Sequence, residues 1–278
     1  MKKLSSVQIS NFQKKIWDFY RASGRHDLPW RPQGKKKLNS YFVTVSELML
    51  QQTQVSRVIP KFKLWVDTFP DWNSVAQAPL SRVLAMWQGL GYARRAKFLH
   101  TIAQSVLKTK TKSLPKTIEE LEKLSGIGHY TARAIATFAY TQSHALVETN
   151  IRTVYIHHFF KTNKDVLDQN ILFVVEQTLD TKNSREWMYA LMDYGSYLKS
   201  QGVSHNARSA HNIRQKPFIG SVREVRGAIL KILGTQERID VKDVKNIEKK
   251  YGSERVEKAL TGLVKDGLIN KNKNTYTI

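Results

Sequence analysis

One carboxylic acid stands in a run that is otherwise apolar or amide-bearing, SELMLQQTQVSRVIP, residues 46–60. Glu47 is the only charged side chain there before Arg57, and Gln51, Gln52 and Gln54 supply three amides. A carboxylic acid among apolar neighbours keeps its proton to higher pH than one in water, which suits it to general-acid work. Amides offer hydrogen bonds without adding charge. A helix built only for a core would spread its polar groups along the solvent face. This segment has something other than solvent to meet.

A second stretch, LSGIGHYTARAI at 124–135, carries chemistry for an anion. Ile127 is expected to tuck inward while Gly126 and Gly128 take turn angles hostile to a Cβ. The next helix then starts with exposed amides near His129, Tyr130 and Thr131, where a phosphate binds and glycine lets the backbone come close. An ordinary tight turn between two helices would share the Gly-x-Gly pattern. The overall charge favours the phosphate. Lys plus Arg is 45 against 23 Asp plus Glu, a net charge of +22 with a pI near 10.0. Such an excess points to a polyanion, nucleic acid before an anionic membrane. No apolar run reaches the length of a spanning helix, and MKKLSSVQISNFQKK lacks the apolar centre of a signal peptide. With no cysteine, disulfides, thiolate nucleophiles and Cys-ligated metals are excluded from the 278 residues. The expectation is a soluble intracellular protein on DNA or RNA.

Helical periodicity must position these residues. SVQISNFQKKIWDFYRAS puts Ile9, Phe12, Ile16, Phe19 and Tyr20 on one stripe. LPWRPQGKKKLNSYF reads as a loop, and helical patterning returns over 43–69 up to Pro70. SVAQAPLSRVLAMWQGLGY gives two short helices closed by Gly89 and Gly91, and ARRAKFLHTIAQSVLK another before the basic strip KTKTKSLPK. TIEELEKLSGIGHYTARAIATFAY reads as helix, glycine hairpin, helix, with more helix at 149–160 and 170–199. Residues 200–217 are polar and basic, a linker that still has room to lie ordered against the first domain. Three helical segments and a small hairpin over 218–278 resemble a winged-helix module. The expected domains are thus 1–199, the linker at 200–217, and 218–278.

SELMLQQTQVSRVIPKF, MWQGLGYARRAKFLH, LSGIGHYTARAIATFAY and VETNIRTV occur in the order and spacing of the helix–hairpin–helix DNA glycosylases. LPWR followed by LMLQQTQV is similar to the adenine-specific, MutY-type branch, over roughly residues 8–200. The resemblance implies an all-α, two-lobed core that flips a base out of a duplex and cleaves its glycosidic bond. Glu47 matches the acid that protonates the purine, and Gln52 the glutamine that enters the duplex near the vacated position. Glu148 stands where the family has the aspartate of V-D-x-N, and would stabilise the sugar cation, with Asn150 orienting water or sugar. The extra methylene alters its reach, and a plain helix cap or a pair with Arg152 is the alternative. Tyr130 takes the place of the Schiff-base lysine of the strand-nicking members, which implies base removal leaving an abasic site. Leu28, Trp30 and Arg31 of LPWR, with Asp193 of LMDYG, match the adenine-pocket segment. A core place for Trp30 and a helix cap for Asp193 remain open. The hairpin with Gly126, Gly128, His129 and Thr131, together with Arg94 and Arg95 of GLGYARRAK, would hold the DNA backbone.

Three departures follow. Lys199 stands where the first cysteine of the usual iron–sulfur cluster would be, so no cluster and no metal are expected. A monovalent cation at the hairpin is left open as the sole cofactor. His205 and His211, without an acid between them, read as solvated or phosphate-contacting. Ala93 replaces the second tyrosine wedge after GLGY, and the tail is expected to lack the domain that reads 8-oxoguanine. The expectation is a clusterless, monofunctional adenine glycosylase acting opposite 8-oxoguanine or guanine. It would act as a monomer on duplex DNA in the cytoplasm, at the nucleoid if prokaryotic, with no membrane partner. Excision of mismatched thymine or uracil, or damage binding without catalysis, are the rivals.

Overall fold

The structure, a computed structural model, describes residues 3–31, 39–211 and 217–278. Along the chain run α1 (Ser6–Ser23), α2 (Ser40–Leu50), α3 (Val55–Thr68), α4 (Trp72–Gln77), α5 (Leu80–Trp87), α6 (Arg94–Leu107) and α7 (Ile118–Glu122). They are followed by α8 (His129–Tyr140), α9 (Thr149–Phe159), α10 (Asp168–Thr178), α11 (Ser184–Ser200) and a single 3-10 turn at Asn206–Arg208. The rest is α12 (Val222–Leu233), β1 (Arg238–Ile239), α13 (Val241–Tyr251), α14 (Ser253–Lys265), β2 (Asn270–Asn272) and β3 (Thr275–Thr277). Among the described residues no helix is long and apolar enough to cross a membrane. The helical patterning over 43–69 hides a break. Residues 51–54 form a tight turn between α2 and α3, with Gln52 at φ 54°. Side-chain periodicity carries no signal for such a turn when its residues are glutamines rather than glycines. Part of the expected 28–42 loop, residues 32–38, lies outside the described residues, and its end already belongs to α2.

The chain divides into two compact units. The first gathers Met1–Val43, Pro115–Lys123 and Ile127–Arg214. Here α11 packs along α9, and α1 lies on α11 and α10. A capping box between Ser5 and Gln8 starts α1, whose Phe12, Ile16 and Tyr20 are buried. Phe12 meets Tyr155 and Phe159 at ring-centre distances of 5.3 and 4.9 Å, and Trp187 and Tyr155 are fully buried. Two bonds of long sequence reach fix the start of the chain: Leu4 N donates to Gln177 Oε1 at 2.8 Å and Gln13 Nε2 to the Thr178 carbonyl at 3.0 Å.

The described part of the expected linker is ordered on this unit. Val166 and Ser209 form a β-bridge, and Arg208 donates to the carbonyls of Asn163 and Phe160. His205 is half-buried and stacks on His157 with a nitrogen–nitrogen distance of 3.2 Å. That corrects the solvated reading of His205: its flat ring packs on the His157 ring at the end of α9 rather than staying in water. His211 is exposed, and residues 212–216 lie outside the described residues.

The second unit gathers Thr44–Leu114, Leu124–Gly126 and Gln215–Ile278. Trp65 meets Trp87 edge to face at 5.5 Å, and α4 and α5 pack on α6. The tail runs helix, strand, two helices and two strands, with a sheet β1-β3-β2 that sets Ile239 opposite Tyr276 and Lys271 opposite Tyr276 on the other side. Val225, Ile229 and Leu233 of α12 face a helix, α14, whose Val256, Leu260 and Leu263 are buried. The tail also grips α6 and the turn before it: Lys97 donates to the Asp266 carbonyl at 2.8 Å, and Arg223 to the Tyr92 hydroxyl at 2.8 Å.

Candidate active site

Glu47 lies on α2, half-buried, with Val45, Ser46, Leu48 and Met49 all buried around it. One turn further on the helix ends, and its open carbonyls need donors. Arg95 supplies them. Its Nη1 donates to the carbonyls of Leu48 (2.7 Å), Met49 (3.0 Å) and Gln51 (2.6 Å). Its Nη2 donates to Thr53 Oγ1 (3.1 Å) and the carbonyls of Leu90 (3.0 Å) and Gly91 (2.9 Å). Burial pushes this guanidinium down to about 10, and it is 5% exposed. The expected phosphate contact from Arg95 is therefore wrong: both terminal nitrogens are spent on backbone carbonyls and the Thr53 hydroxyl, and Nε donates to the Tyr92 carbonyl at 3.4 Å. Arg95 is the residue that sequence reasoning placed in the wrong role. A second basic residue after GLGY gives no sign of which one turns inward.

The Arg95 hub is flanked by two non-glycine residues at positive φ, Gln52 at 54° and Tyr92 at 47°. Each such conformation costs roughly 1–3 kcal/mol and persists only where its surroundings over-determine it. Gln52 is exposed on its turn, and Tyr92 is 38% exposed. Arg94 points outward, its cation over Phe98 and its Nη1 3.7 Å from Asp266 Oδ1. Ala93 forms the cap of α6.

At the hairpin, Ile127 is buried as expected and Gly126 takes φ 77°. A Cβ on Gly126 would collide with the Phe98 ring. Gly128 differs from the expectation: its φ of −95° is open to any residue, and a Cβ there would meet nothing within 4 Å. Gly128 brings no capping side chain to α8, so its smallness faces outward, beside the first amides of the helix. His129 is exposed and pairs with Glu122 at 2.9 Å. Thr131 is buried and Tyr130 half-buried.

Glu148 is the N-cap of α9. Its Oε1 accepts from the amides of Asn150 (2.8 Å) and Ile151 (2.9 Å), and Asn150 Nδ2 lies 3.4 Å from Oε2. The alternative pairing with Arg152 is excluded, because Arg152 forks onto Asp168 at 2.7 Å through both Nε and Nη2. Across from α9, Gly195 of α11 approaches so closely that an added Cβ would stand 2.8 Å from Asn150 Cβ and nearer still to its carbonyl. One turn along, Lys199 Nζ donates to Asn150 Oδ1 at 2.8 Å. Burial pushes the Lys199 ammonium down, Glu148 opposes that shift and Arg152 adds to it.

Of the expected pocket residues, Arg31 and Asp193 pair directly. Leu28, Trp30, Arg31 and Asp193 are all buried. Arg31 forks onto Asp193 at 2.7 and 2.9 Å, and Arg25 adds its backbone amide at 2.8 Å and its Nε at 2.7 Å. Burial pushes the Asp193 carboxyl up, but Arg31 and Arg25 outweigh it and hold the group below its ordinary range. Arg31 also lies 4.2 Å over the Tyr189 ring. Asp193 sits in the middle of α11, so it caps nothing. Its whole hydrogen-bonding capacity goes to these two arginines.

A thiolate-held cluster does not fit this chain, which has no cysteine. Among the described residues no group of three His, Cys, Asp or Glu could hold a metal ion.

Residues 45–172 match the family described as HhH-GPD superfamily base excision DNA repair protein. The adenine DNA glycosylase of Mycolicibacterium smegmatis is 45% identical over 130 residues, which is 47% of this chain and 43% of that protein. The adenine DNA glycosylase of Mycobacterium tuberculosis (strain H37Rv) is 29% identical over 282 residues, 95% of this chain and 91% of that protein. Among solved structures, a thermostable thymine-DNA glycosylase shares the fold with a TM-score of 0.59 at 18% identity, covering 74% of this chain and 97% of that one. The fold, the hairpin and these likenesses agree on one point: residues 45–172 form an HhH-GPD domain, the domain of a superfamily of base excision DNA repair proteins.

Proposed function

We propose that this chain is a monofunctional DNA glycosylase that excises adenine mispaired with 8-oxoguanine or guanine. The observation that carries the reading is its similarity over 95% of its length to a protein named adenine DNA glycosylase. In this reading the hairpin amides at Gly128, His129 and Thr131 and the exposed Arg94 hold the phosphate backbone of a duplex. Gln52, presented on its strained turn, enters the stack as adenine leaves it. Glu47 gives its proton to the purine ring, so that the glycosidic electron pair departs on a neutral base. Glu148 stabilises the oxocarbenium sugar, and water oriented by Asn150 adds to it. Tyr130 offers no amine to trap the sugar, so the product is an abasic site. Leu28, Trp30, Arg31 and Asp193 form the wall that recognises adenine, with Arg31 fixed by Asp193. The enzyme works as a monomer in the cytoplasm, without a cluster and with at most a monovalent cation at the hairpin. The domain reading of 1–199, 200–217 and 218–278 belongs to this proposal.

A panel of duplexes tests it. Alkali-revealed breaks are expected at adenine opposite 8-oxoguanine or guanine, and Glu47→Gln is expected to bind the same duplexes without releasing base. Breaks confined to thymine or uracil would overturn the substrate, and binding with no release from the native protein would leave a damage-binding protein.

A further inference from the structure

We propose that Lys199 is a positioning residue: through Asn150 it holds the Glu148 carboxylate for the bond-breaking step. The inference rests on the glycosylase reading above and deepens it.

A lysine near a helix end ordinarily reaches water, since its rotamer freedom and hydration are lost when it is buried. Lys199 instead turns inward and donates to Asn150 Oδ1 at 2.8 Å. A carboxamide with its oxygen anchored has only its nitrogen to offer elsewhere. That nitrogen faces Glu148 Oε2 at 3.4 Å, while Oε1 is held by the amides of Asn150 and Ile151. The carboxylate is thus gripped on both oxygens. Gly195, four residues earlier on the same face of α11, makes the arrangement possible by letting that helix ride against the backbone of Asn150.

The chain has a reason to need such a grip. Glutamate carries one more rotatable bond than the aspartate of the related motif, and an anion placed about 1 Å off loses much of its value to a transition state. Three donors and an adjacent ammonium remove that freedom. The glutamate at 148 and the lysine at 199 are thus joined through one carboxamide, that of Asn150. The charged groups acting on Lys199 are Glu148, which favours its ammonium, and Arg152, which opposes it.

The test is single-turnover base release with native protein, Lys199→Met and Lys199→Arg, alongside thermal melting and duplex affinity. Lys199→Met is expected to slow release at least tenfold with affinity within twofold, and Lys199→Arg to recover part of the loss. The native rate should fall on the alkaline side as Lys199 loses its proton, and that limb should be absent in Lys199→Met. Release by Lys199→Met within twofold of native would overturn the proposal. A second measurement needs no activity and covers a Met variant that fails to fold: the titration of Lys199 in the free protein, followed by its 13Cε resonance. Glu148→Gln should move that titration to lower pH, and an unmoved titration would overturn the coupling. A native protein that releases no base but shows the titration shift would sink the glycosylase reading and leave the coupling standing.

Discussion

At the end of α2 a cation gathers carbonyl groups, and at the start of α9 an anion gathers amides. Both arrangements answer the same need, since a helix leaves unpaired donors at its first turn and unpaired acceptors at its last. The difference lies in which partner carries the chemistry. Beyond Glu47, Arg95 fixes the backbone where α2 ends. Glu148 is itself the cap, and in the proposed function its charge would serve fold and site at once. A side chain with two duties needs outside support to stay placed during a reaction, and Asn150 with Lys199 supplies it.

The largest effect should come from breaking the α2 end. Arg95→Ala strands several buried carbonyls at once and should cost roughly 4 kcal/mol or more, read by urea unfolding. Arg95→Lys should recover little of it, because a single ammonium cannot span acceptors on both sides of the fork. If either variant keeps native stability, the hub is not what holds that turn. A smaller loss belongs to Glu148→Ala, about 1 kcal/mol for a lost N-cap, with base release falling far more than stability. Equal losses in both would reduce Glu148 to a cap. The smallest stability change is expected from Gly128→Ala, within about 0.5 kcal/mol, because the backbone there suits any residue and the space is open. Its duplex affinity should nonetheless drop in a filter-binding titration. An unchanged affinity would make the hairpin an ordinary turn.

Much of this was legible from residue order. Periodicity found the helices because apolar stripes at 3–4 spacing are what packing selects, and the tail showed its three helices for the same reason. The Gly126–Ile127–Gly128 pattern exposed the hairpin, although only Gly126 has the strained angle. The break at Gln52 and the inward turn of Arg95 were hidden, since both depend on partners elsewhere that no local pattern encodes. The Arg31–Asp193 pair shows the limit most plainly. Each was placed near the pocket, yet their mutual bond joins residues 162 positions apart.

The tethering of the amino-terminal segment has a consequence for synthesis. Leu4 and Gln13 bond to Gln177 and Thr178, and the Arg25 amide and side chain to Asp193. A ribosome adding about 5–20 residues per second needs on the order of ten seconds or more to deliver them. During that interval Phe12 lacks Tyr155, Phe159 and Trp187 to cover it, and a chaperone would find its clearest target there.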